Sequence, residues 1–444
     1  MDLLEKVKEA GIIGAGGAGF PTHAKLSAKA EYILLNGAEC EPLLRVDQQL
    51  MELYAQQIIQ GFEAAGRYVG AQKAIIGIKY KHKKVIEILN NKIIELGLQD
   101  YVSVGELPDI YPAGDEQVLV YQLTGRVVPE VSIPLKVGCV VVNSETALNI
   151  YNAINDTPVT DTYITVAGDV KKPITVKVPV GMPIIDVLKL SGVENINEYS
   201  VIDGGPMMGK VMGDEAINGY ITKKSKGYIL LKKDHFLMQK KSRDLSQAKR
   251  ISKAACEQCR MCTDMCPRYL LGHNMQPHKI MRSLAYDMQD VSQQQIAQLC
   301  SECGACELFS CPANLYPKSM NILYKQKLME QGIRYSPEKT DFEARPAREN
   351  RLIPTKRLII KLGLSAFDKD APICFDEFMP SKVCIATSQH IGAPAKPVVC
   401  VGDKVEKGQL IGDIPEKSLG ATIHASISGA VEQVDDKFIV IKAD

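Results

Sequence analysis

In the first third of this 444-residue chain, continuous apolar runs alternate with segments whose apolar positions recur at helical spacing. In residues 1–155, short apolar runs at 32–35 and 74–78 are typical of buried strands. They alternate with the segments 49–68 and 83–96, in which apolar positions recur at helical spacing. This alternation of strands and helices predicts an α/β layer fold for the first module.

In residues 156–235 the dominant period becomes two. The β-branched runs at 162–167 and 174–179 predict strands, and a helical pattern follows at 183–190. We therefore expect a small α+β module here. Residues 381–444 again contain strand-sized apolar runs separated by glycines, which predicts an all-β module made of two similar halves.

The residues between these modules are more polar. Residues 236–335 are rich in Gln, Lys and Met and have a mostly helical pattern, whereas 336–380 is predicted to be a connector. Its charged first part, up to residue 350, predicts an unstructured linker. No apolar run approaches the roughly 20 residues of a membrane span. A net charge of +1 gives no basis for nucleic-acid binding, so we expect neither a membrane span nor a nucleic-acid partner.

Eight of the thirteen cysteines form two short runs that each end in Cys-Pro. The spacing is C-x2-C-x2-C-x3-C in the first run and C-x2-C-x2-C-x4-C in the second. Thiolates spaced in this way wrap around a cubane iron–sulfur cluster, and in two-cluster ferredoxins the fourth cysteine ligates the other cluster. We therefore predict two 4Fe-4S clusters. The first cluster site takes Cys256, Cys259, Cys262 and Cys311, and the second cluster site takes Cys300, Cys303, Cys306 and Cys266.

Zinc and disulfide interpretations of the cysteines fit less well. A structural zinc site needs four soft ligands, so two complete four-cysteine runs exceed its requirement. A disulfide framework is disfavoured because the chain opens with a charged amphipathic segment rather than a signal peptide. Clusters and reduced thiols imply a reducing compartment, and we expect a soluble cytoplasmic protein. The scattered cysteines are predicted to be small buried residues: Cys40, Cys139, Cys374, Cys384 and Cys400.

A dense glycine run near the start of the chain is the second chemical feature. Gly14, Gly16, Gly17 and Gly19 carry no side chains that would keep a ligand away, so their backbone N–H groups could approach a phosphate closely. No clear strand precedes the run, which therefore differs from a standard dinucleotide-binding fingerprint. Taken alone, the run is also compatible with a flexible glycine turn.

Longer strings place the glycine run in a known setting. GAGGAGFPTHAKL at 14–26, NGAECEP at 36–42, YPAGDEQ at 111–117 and NSET at 143–146 stand in the first module. Together they resemble the NADH-binding flavoprotein of respiratory complex I and, more closely, the C subunit of Rnf ferredoxin:NAD oxidoreductases. Two positions depart from the complex I pattern: Ala38 stands where an Asp is expected, and Val142 where an Asn is expected.

The resemblance implies a cleft for FMN and NADH in this module. Lys25 and Asn143 would hold the FMN phosphate, and Asn36 would contact the flavin. Phe20 would stack on the adenine of NADH, and two acidic residues would bind its polar groups. The complete implied set is Gly14, Gly16, Gly17, Gly19, Phe20, Lys25, Asn36, Glu39, Glu41 and Asn143.

The resemblance extends over the rest of the chain and implies a multidomain architecture. An α/β FMN-binding domain (1–155) is followed by a soluble-ligand-binding β-grasp module (156–235), in which GGPMMG occupies 204–209. A helical ferredoxin-like two-cluster domain (236–335), a connector (336–380) and a barrel-sandwich hybrid (381–444) complete the chain. In Rnf C subunits the barrel-sandwich module precedes the flavin domain. The order found here is similar to the cobalamin (corrinoid) reductases of propanediol-utilisation microcompartments.

By this resemblance the protein is expected to be an NADH-dependent oxidoreductase. Electrons would pass from NADH through FMN and the two clusters to a one-electron acceptor, with cob(II)alamin as the favoured acceptor. The alternative is an electron-transfer subunit of an ion-pumping or amino-acid reductase complex without cobalamin activity. Expected partners are NADH, a corrinoid or redox protein, and an adenosyltransferase. The expected location is the cytoplasm, with the interior of a bacterial microcompartment as the narrower alternative.

Catalysis of this kind aligns redox centres, so no catalytic acid or base is predicted. His273 and His278 follow the first cysteine run and could ligate a corrinoid cobalt. A polar helix residue is the favoured interpretation of each.

Overall fold

A four-stranded parallel sheet forms the N-terminal part of the computed structural model, which describes residues 2–444. Its strands are β1 (Tyr32–Gly37), β2 (Lys73–Lys79), β3 (Val102–Leu107) and β5 (Cys139–Asn143), in the order β3-β2-β1-β5, and a short strand β4 (Ile110–Tyr111) lies outside it. The helices are α1 (Leu3–Glu9), α2 (Thr22–Leu26), α3 (Val46–Leu53), α4 (Ala55–Tyr68), α5 (Lys83–Glu95), α6 (Glu116–Thr124) and α7 (Ser144–Ile154). Ile33 and Leu35 pack in one core and Leu34 in another, so both faces of the sheet are covered.

The single helix predicted over 49–68 is wrong in one respect, because the structure divides it at Tyr54. This residue has a non-helical backbone (φ −118°, ψ 32°), and its ring packs on Tyr163 of the next module at a centroid distance of 6.2 Å. The helices on either side keep their apolar faces on the same core, so the apolar period continues across the break.

The second module is built on an antiparallel hairpin, as the period of two predicted. Its elements are β6 (Asp161–Gly168), β7 (Ile174–Pro179), α8 (Ile184–Lys189), β8 (Tyr199–Asp203), β9 (Lys210–Val211), α9 (Glu215–Asn218) and β10 (Gly227–Lys232). β6 pairs with β7 antiparallel and with β10 parallel. The helix α8 covers one face of this sheet, where Val187 and Leu188 are fully buried.

The cysteine-rich region is helical, with the cysteine loops between short helices. The helices are α10 (Phe236–Lys241), α11 (Leu245–Ala255), α12 (Met261–Asp264), α13 (Pro267–Leu270), α14 (Pro277–Ala285), α15 (Val291–Gln295) and α16 (Pro317–Glu330). A π-helical turn, Ala305–Ser310, contains Cys306 and ends directly before Cys311, the last cysteine of the second run. Because a π turn holds more residues than an α turn, it accommodates the additional residue of that run.

The connector is packed against earlier modules, so the prediction of an unstructured linker is only partly right. Residues 336–345 form no helix or strand, but a 3₁₀ turn follows at Pro346–Asn350, in which Arg348 is buried. Beyond it lie β11 (Ile353–Pro354), α17 (Thr355–Lys361) and β12 (Ile373–Cys374). β11 pairs with β4 of the first module, and β12 adds an edge to the β-grasp sheet, whose order is β12-β7-β6-β10-β8-β9.

The last module consists of two small sheets around a shared core. One sheet has the order β13-β19-β18-β15, and the other β14-β16-β17. The strands are β13 (Lys382–Ala386), β14 (Lys396–Pro397), β15 (Lys404–Val405), β16 (Leu410–Asp413), β17 (Ile423–His424), β18 (Gly429–Val434) and β19 (Phe438–Ala443). Of the described helices in the whole chain, none is long and apolar enough to cross a membrane.

Candidate functional site

The carboxyl edge of the parallel sheet brings two of the predicted site residues together. Asn36 at the end of β1 and Asn143 at the end of β5 are register partners. The Asn36 side chain donates to the Gly114 carbonyl at 2.9 Å, and the Asn143 side chain caps α7 by accepting from the Glu145 N–H at 2.9 Å. Ligands of open α/β sheets bind at this edge, so its polar groups form a suitable cleft.

The glycine-rich loop lies against the N-terminus of α7. The Ala15 N–H donates to Thr146 Oγ1 at 3.1 Å, and the Gly14 N–H donates to the Phe20 carbonyl at 2.9 Å. The loop tip is exposed, and a Cβ built on Gly17 would meet no atom within 4 Å. The helix α1 precedes the loop rather than a strand, in agreement with the sequence pattern. The loop therefore offers open backbone beside a helix N-terminus.

The other predicted phosphate ligand, Lys25, lies on the α6 side of this edge. Its ammonium donates to the Val141 carbonyl at 2.9 Å and lies 3.4 Å from Glu116. Phe20 closes the glycine loop through its backbone, and its side chain is half-buried. The structure thus places both residues within the first module, beside the loop or beside β5.

Two acidic residues of the predicted set are already engaged by protein N–H groups. Glu39 accepts from the Asp47 N–H at 2.9 Å, at the start of α3, and burial raises the pKa of its carboxyl to about 7, with the charge of Asp47 adding to the rise. Glu41 accepts from the Met207 N–H at 2.8 Å and the Met208 N–H at 2.9 Å, and burial raises its pKa as well. Their roles as nucleotide ligands remain predictions.

The two departures from the complex I pattern are apolar positions in this structure. Ala38 is fully buried in the core on one face of the sheet, and Val142 is buried in the core on the other. Neither side chain can supply the polar ligand atom that the Asp or Asn of the complex I pattern would.

The cysteines of the second cluster site lie together although Cys266 comes from the first run. Burial raises the pKa of the Cys300 thiol to about 12, and the nearby Cys303 adds to the rise. Burial also raises the pKa of Cys266, and here too Cys303 and Cys300 contribute. Cys306 is buried beside the same pair.

The first cluster site has the reciprocal arrangement. Burial raises the pKa of Cys262 to about 12, and Cys311, Cys256 and Cys259 each add to the rise. Cys259 is exposed at the surface. In residues 2–444 no three His, Cys, Asp or Glu side chains are grouped to hold a single metal ion. Four cysteines around a cubane bind four different irons, so their sulfurs need not converge on a single point.

The second cysteine loop touches the edge of the flavin-type module. The Tyr111 hydroxyl donates to the Cys303 carbonyl at 2.5 Å, and Tyr111 belongs to the same string as Gly114. Arg268, which follows Cys266-Pro267, donates two bonds to Asp115 at 2.8 and 2.9 Å. No sequence pattern indicated these contacts, because each joins residues of different modules.

The β-grasp turn 204–209 lies between the cleft and this cysteine loop. On one side Glu41 holds its N–H groups, and a Cβ built on Gly205 would lie 2.2 Å from the Glu41 carboxylate. On the other side a Cβ built on Gly304 would lie 3.2 Å from the Met207 carbonyl. A larger residue at either glycine would separate the modules at the place where the two sites meet.

A buried group of charges at the cleft was not predicted from the sequence. Asp47 accepts from Asn143 Nδ2 at 3.0 Å and from Ser144 Oγ at 2.6 Å. Lys226 of the β-grasp module forms an ion pair with Glu145 and lies 3.8 Å from Asp47. NSET contains Glu145, but its partner is 81 residues away, which no local pattern indicates.

The two histidines after the first cysteine run and the five scattered cysteines have different degrees of burial. His278 lies in α14 and its Nδ1 is 2.7 Å from Thr263 Oγ1. His273 is a buried loop residue rather than a helix residue, with Nε2 2.9 Å from the Val128 carbonyl. The prediction that the scattered cysteines are buried is right for Cys139 and Cys384 but wrong for Cys400, which is exposed; Cys40 and Cys374 are half-buried.

Four sequence-family profiles match the chain, one for each predicted module. They are described as the Nuo51 FMN-binding domain (7–152), the SLBB domain (163–211), the 4Fe-4S dicluster domain (255–316) and the RnfC barrel sandwich hybrid domain (368–443). These matches confirm the predicted fold class and the order of its modules. Fold and site together define a flavo-iron–sulfur oxidoreductase of the electron-transfer type.

Two relatives align over nearly the whole chain. Cobalamin reductase PduS of Salmonella typhimurium is 40% identical over 445 residues, covering 99% of this chain and 96% of the relative. Cobalamin reductase PduS of Citrobacter freundii is 41% identical over 442 residues, with coverage of 99% and 96%. The chain therefore belongs to the cobalamin reductase PduS family, which confirms the resemblance seen in the sequence.

A protein of the Rnf type is similar over a shorter stretch. The C subunit of the Na⁺-translocating ferredoxin:NAD⁺ oxidoreductase complex of Acetobacterium woodii is 38% identical over 215 residues, or 47% of this chain and 48% of that protein.

Proposed function

We propose that this protein is an NADH-dependent cob(II)alamin reductase containing FMN and two 4Fe-4S clusters. The full-length similarity to proteins named cobalamin reductase supports the substrate. The observation that carries the redox assignment is the contact between the Tyr111 hydroxyl and the Cys303 carbonyl, which joins the flavin-type cleft to a cysteine loop. Bound FMN would accept a hydride and release single electrons, which iron–sulfur clusters accept one at a time.

The residues of the cleft fit an FMN group. Gly17 leaves its side of the loop open, and a Cβ on Gly114 would lie 3.2 Å from Cys40 Sγ and 3.5 Å from Asn36 Oδ1, so backbone alone fits there. Phosphate would be held by loop N–H groups, Lys25 and Asn143, and the flavin ring would contact Asn36. Phe20 would stack on the adenine of NADH, and Glu39 and Glu41 would bind its polar groups.

The eight clustered cysteines fit two cubanes by number and by grouping. Burial raises the pKa of both Cys262 and Cys300 to about 12, so these thiols are protonated when free and iron must displace their protons on binding. Cys256, Cys259, Cys262 and Cys311 would hold one cluster, and Cys266, Cys300, Cys303 and Cys306 the other.

The two cluster sites would come at different points along the path of the electrons from the flavin to the acceptor. Cys303 lies in a core shared with Leu43 and Tyr111 of the flavin-type module and Met207 of the β-grasp module. The first site reaches the surface at Cys259. We therefore assign the second site as the inner one, facing the cleft, and the first site as the outer one, facing the acceptor.

Anaerobic purification followed by cofactor analysis tests the proposal. We expect bound FMN and about eight iron atoms per chain, from two cubanes, and NADH-driven reduction of cob(II)alamin, followed by its absorbance. Cys303→Ser should abolish this reduction, whereas the control Cys374→Ser, outside both runs, should retain it. Protein with neither flavin nor acid-labile sulfide would contradict the whole proposal.

An electron-transfer subunit of a larger redox complex is the second candidate, supported by the similarity to the Acetobacterium woodii protein. It predicts that NADH bleaches the flavin while cob(II)alamin remains oxidised, and that the protein co-purifies with other redox subunits from its host. Repeating the reduction assay with NADPH in place of NADH shows which nicotinamide cofactor the protein prefers.

We also propose a cytoplasmic location inside a bacterial microcompartment and an adenosyltransferase as partner. The resemblance to the corrinoid reductases of propanediol-utilisation microcompartments supports both, because a strongly reduced corrinoid would be reoxidised unless a neighbouring enzyme consumed it. Fractionation of the host should place the protein with shell proteins. Recovery in the free cytoplasm alone would contradict the microcompartment assignment.

A further inference from the structure

Lys226 of the β-grasp module reaches into the cleft of the flavin-type module. Its side chain is only 11% exposed, and its stem crosses the glycine-rich loop at Gly16. A Cβ built on Gly16 would lie 2.8 Å from Lys226 Cγ, and the positive φ of 71° at this position also favours glycine. The absence of a side chain at residue 16 therefore lets a cation from another module pass over the loop.

The immediate surroundings of the Lys226 ammonium are acidic. It pairs with Glu145, which is 2% exposed, and lies 3.8 Å from Asp47. Asp47 in turn accepts hydrogen bonds from the side chains of Asn143 and Ser144 at the N-terminus of α7. Lys25 lies elsewhere, bonded to the Val141 carbonyl. Without Lys226 no cation would be paired with Glu145 and Asp47 beside the loop, and their charges would give an unfavourable field for a phosphate.

The loop next to Lys226 has unused hydrogen-bond donors. Within the described chain, no protein acceptor takes the N–H of Gly17 or Ala18, and both residues are exposed. A run of free backbone N–H groups next to an ammonium is an anion-binding arrangement. The ammonium has three donors, and its contacts with Glu145 and Asp47 leave at least one for a ligand oxygen.

We propose that Lys226 binds a phosphate group of the cofactor held in this cleft, together with the N–H groups of the glycine-rich loop. The inference rests on the proposed function and adds a β-grasp residue to the phosphate site. The phosphate belongs either to FMN or to NADH, and the chemistry at Lys226 is the same for both.

The competing possibility is that Lys226 only neutralises Glu145. Three variants separate the two: Lys226→Met, Glu145→Gln and the double variant. The matched control is Lys224→Met, because the stem of Lys224 likewise crosses a loop glycine, 2.7 Å from a Cβ built on Gly19, but its ammonium has no ion pair in residues 2–444.

FMN affinity is measured by fluorescence quenching with flavin-free protein, and NADH affinity by titration of the same variants. We expect Lys226→Met to weaken binding of one of the two about 10- to 100-fold, the usual contribution of a charged hydrogen bond. Lys224→Met should bind like wild type. The double variant should recover the melting temperature, since no buried carboxylate is left unpaired, but not the affinity.

Recovery of wild-type affinity in the double variant would overturn the inference, because neutralising Glu145 would then be sufficient. Unchanged affinity for both FMN and NADH in folded Lys226→Met would also overturn it. Loss of FMN affinity assigns the phosphate to the flavin, and loss of NADH affinity alone assigns it to the nicotinamide cofactor. Wild-type protein that binds neither overturns the proposed function and this inference with it.

Discussion

The bidentate contact between Arg268 and Asp115 shows how single residues connect the cysteine-rich region to the flavin-type module. Both side chains are 12% exposed, and Asp115 also caps α6 by accepting from the Gln117 and Val118 N–H groups. Two parallel bonds between a guanidinium and a carboxylate fix orientation as well as distance. The pair therefore sets how the Cys266 loop meets the cleft.

Replacing Arg268 by Leu should lower the free energy of unfolding by about 2 kcal/mol, since Asp115 would lose its charged partner but keep its helix-cap bonds. Urea unfolding under anaerobic conditions measures the change. The control is Arg260→Leu, whose more exposed pair with Asp264 should contribute at most about 1 kcal/mol. Equal effects of the two variants would contradict a special role for Arg268.

Lys223 gives a pH-dependent prediction. It is buried where three modules meet, and its ammonium donates to the Gly11 carbonyl at 2.7 Å and the Thr422 carbonyl at 2.9 Å. Burial lowers its pKa from 10.5 to about 7. Between these values the unfolded chain binds a proton that the folded protein does not, so stability rises with pH. Below about pH 7 both states are protonated and the cost of burial is fully present.

The melting temperature of wild type minus that of Lys223→Met should therefore increase as pH rises from 7 to 9.5, towards the ordinary lysine value of 10.5. Replacement of the exposed Lys233 by Met is the control and should give a constant difference. A difference for Lys223→Met that is flat or falls over this range would contradict the prediction.

Single functional residues could be predicted from the sequence where their partners lie in the same short motif. They could not be predicted where their partners lie in another module. The crossed grouping of Cys266 and Cys311 followed from spacing, because ligand geometry restricts the loops strongly. Asp47, Lys226 and Arg268 act through partners far along the chain, and their own neighbours in the sequence resemble those of ordinary surface charges.

Among the helices of the flavin-type module, α4 and α7 are packed closely against each other. A Cβ built on Gly61 of α4 would lie 2.1 Å from the Ala147 carbonyl and 2.8 Å from the Tyr151 nitrogen, both in α7. The backbones thus pack directly on each other, and α7 carries the Asn143 cap at the cleft. The position of one edge of the site depends on this contact.

Gly61→Ala should lower the free energy of unfolding by about 1–3 kcal/mol through overpacking, even though Ala favours a helix by about 1 kcal/mol. Gln56→Ala, at an exposed position of the same helix, should change it by less than about 0.5 kcal/mol. The two are compared by urea unfolding, with flavin content measured in parallel. A stabilised Gly61→Ala protein would show that the helices can separate at no cost.

Strands and longer helices were predictable because their apolar periods reflect burial directly. The break at Tyr54 and the π-helical turn at Ala305–Ser310 were not, since each changes backbone geometry without changing which face is apolar. In the last module, the apolar run at 398–401 is one of those expected to form a strand, but pairing occurs instead at Lys396–Pro397. Short all-β strands are defined by their partners, which a local pattern does not contain.

Over the whole molecule, the two proposed cluster sites differ in how they are supported. The inner site shares a core with residues of several modules, including Leu43, Met207 and Leu358. The core next to the outer site is made of residues from the cysteine-rich region, among them Ala248 and Ile280. Helices as short as α12 and α13 are not stable by themselves and depend on surrounding contacts.

Removal of iron with a chelator and reductant should therefore loosen the outer part of the cysteine-rich region first. We expect limited proteolysis of iron-free protein to begin within residues 245–295, while the flavin-type module stays protected. Iron-loaded protein treated in parallel is the control, with cleavage sites identified by mass spectrometry. Initial cleavage in the first module, or identical patterns with and without iron, would contradict this.

The barrel-sandwich module follows all other modules along the chain, yet it rests on the earliest ones. Thr422 Oγ1 donates to the Lys8 carbonyl at 3.1 Å, and the Ile391 N–H donates to the Gly19 carbonyl at 3.1 Å. The position of this module is thus determined by its contacts with the first module and not by the connector that precedes it in the chain. A gene rearrangement could move the segment that encodes this module from after the flavin-type module to before it and leave the assembled shape intact.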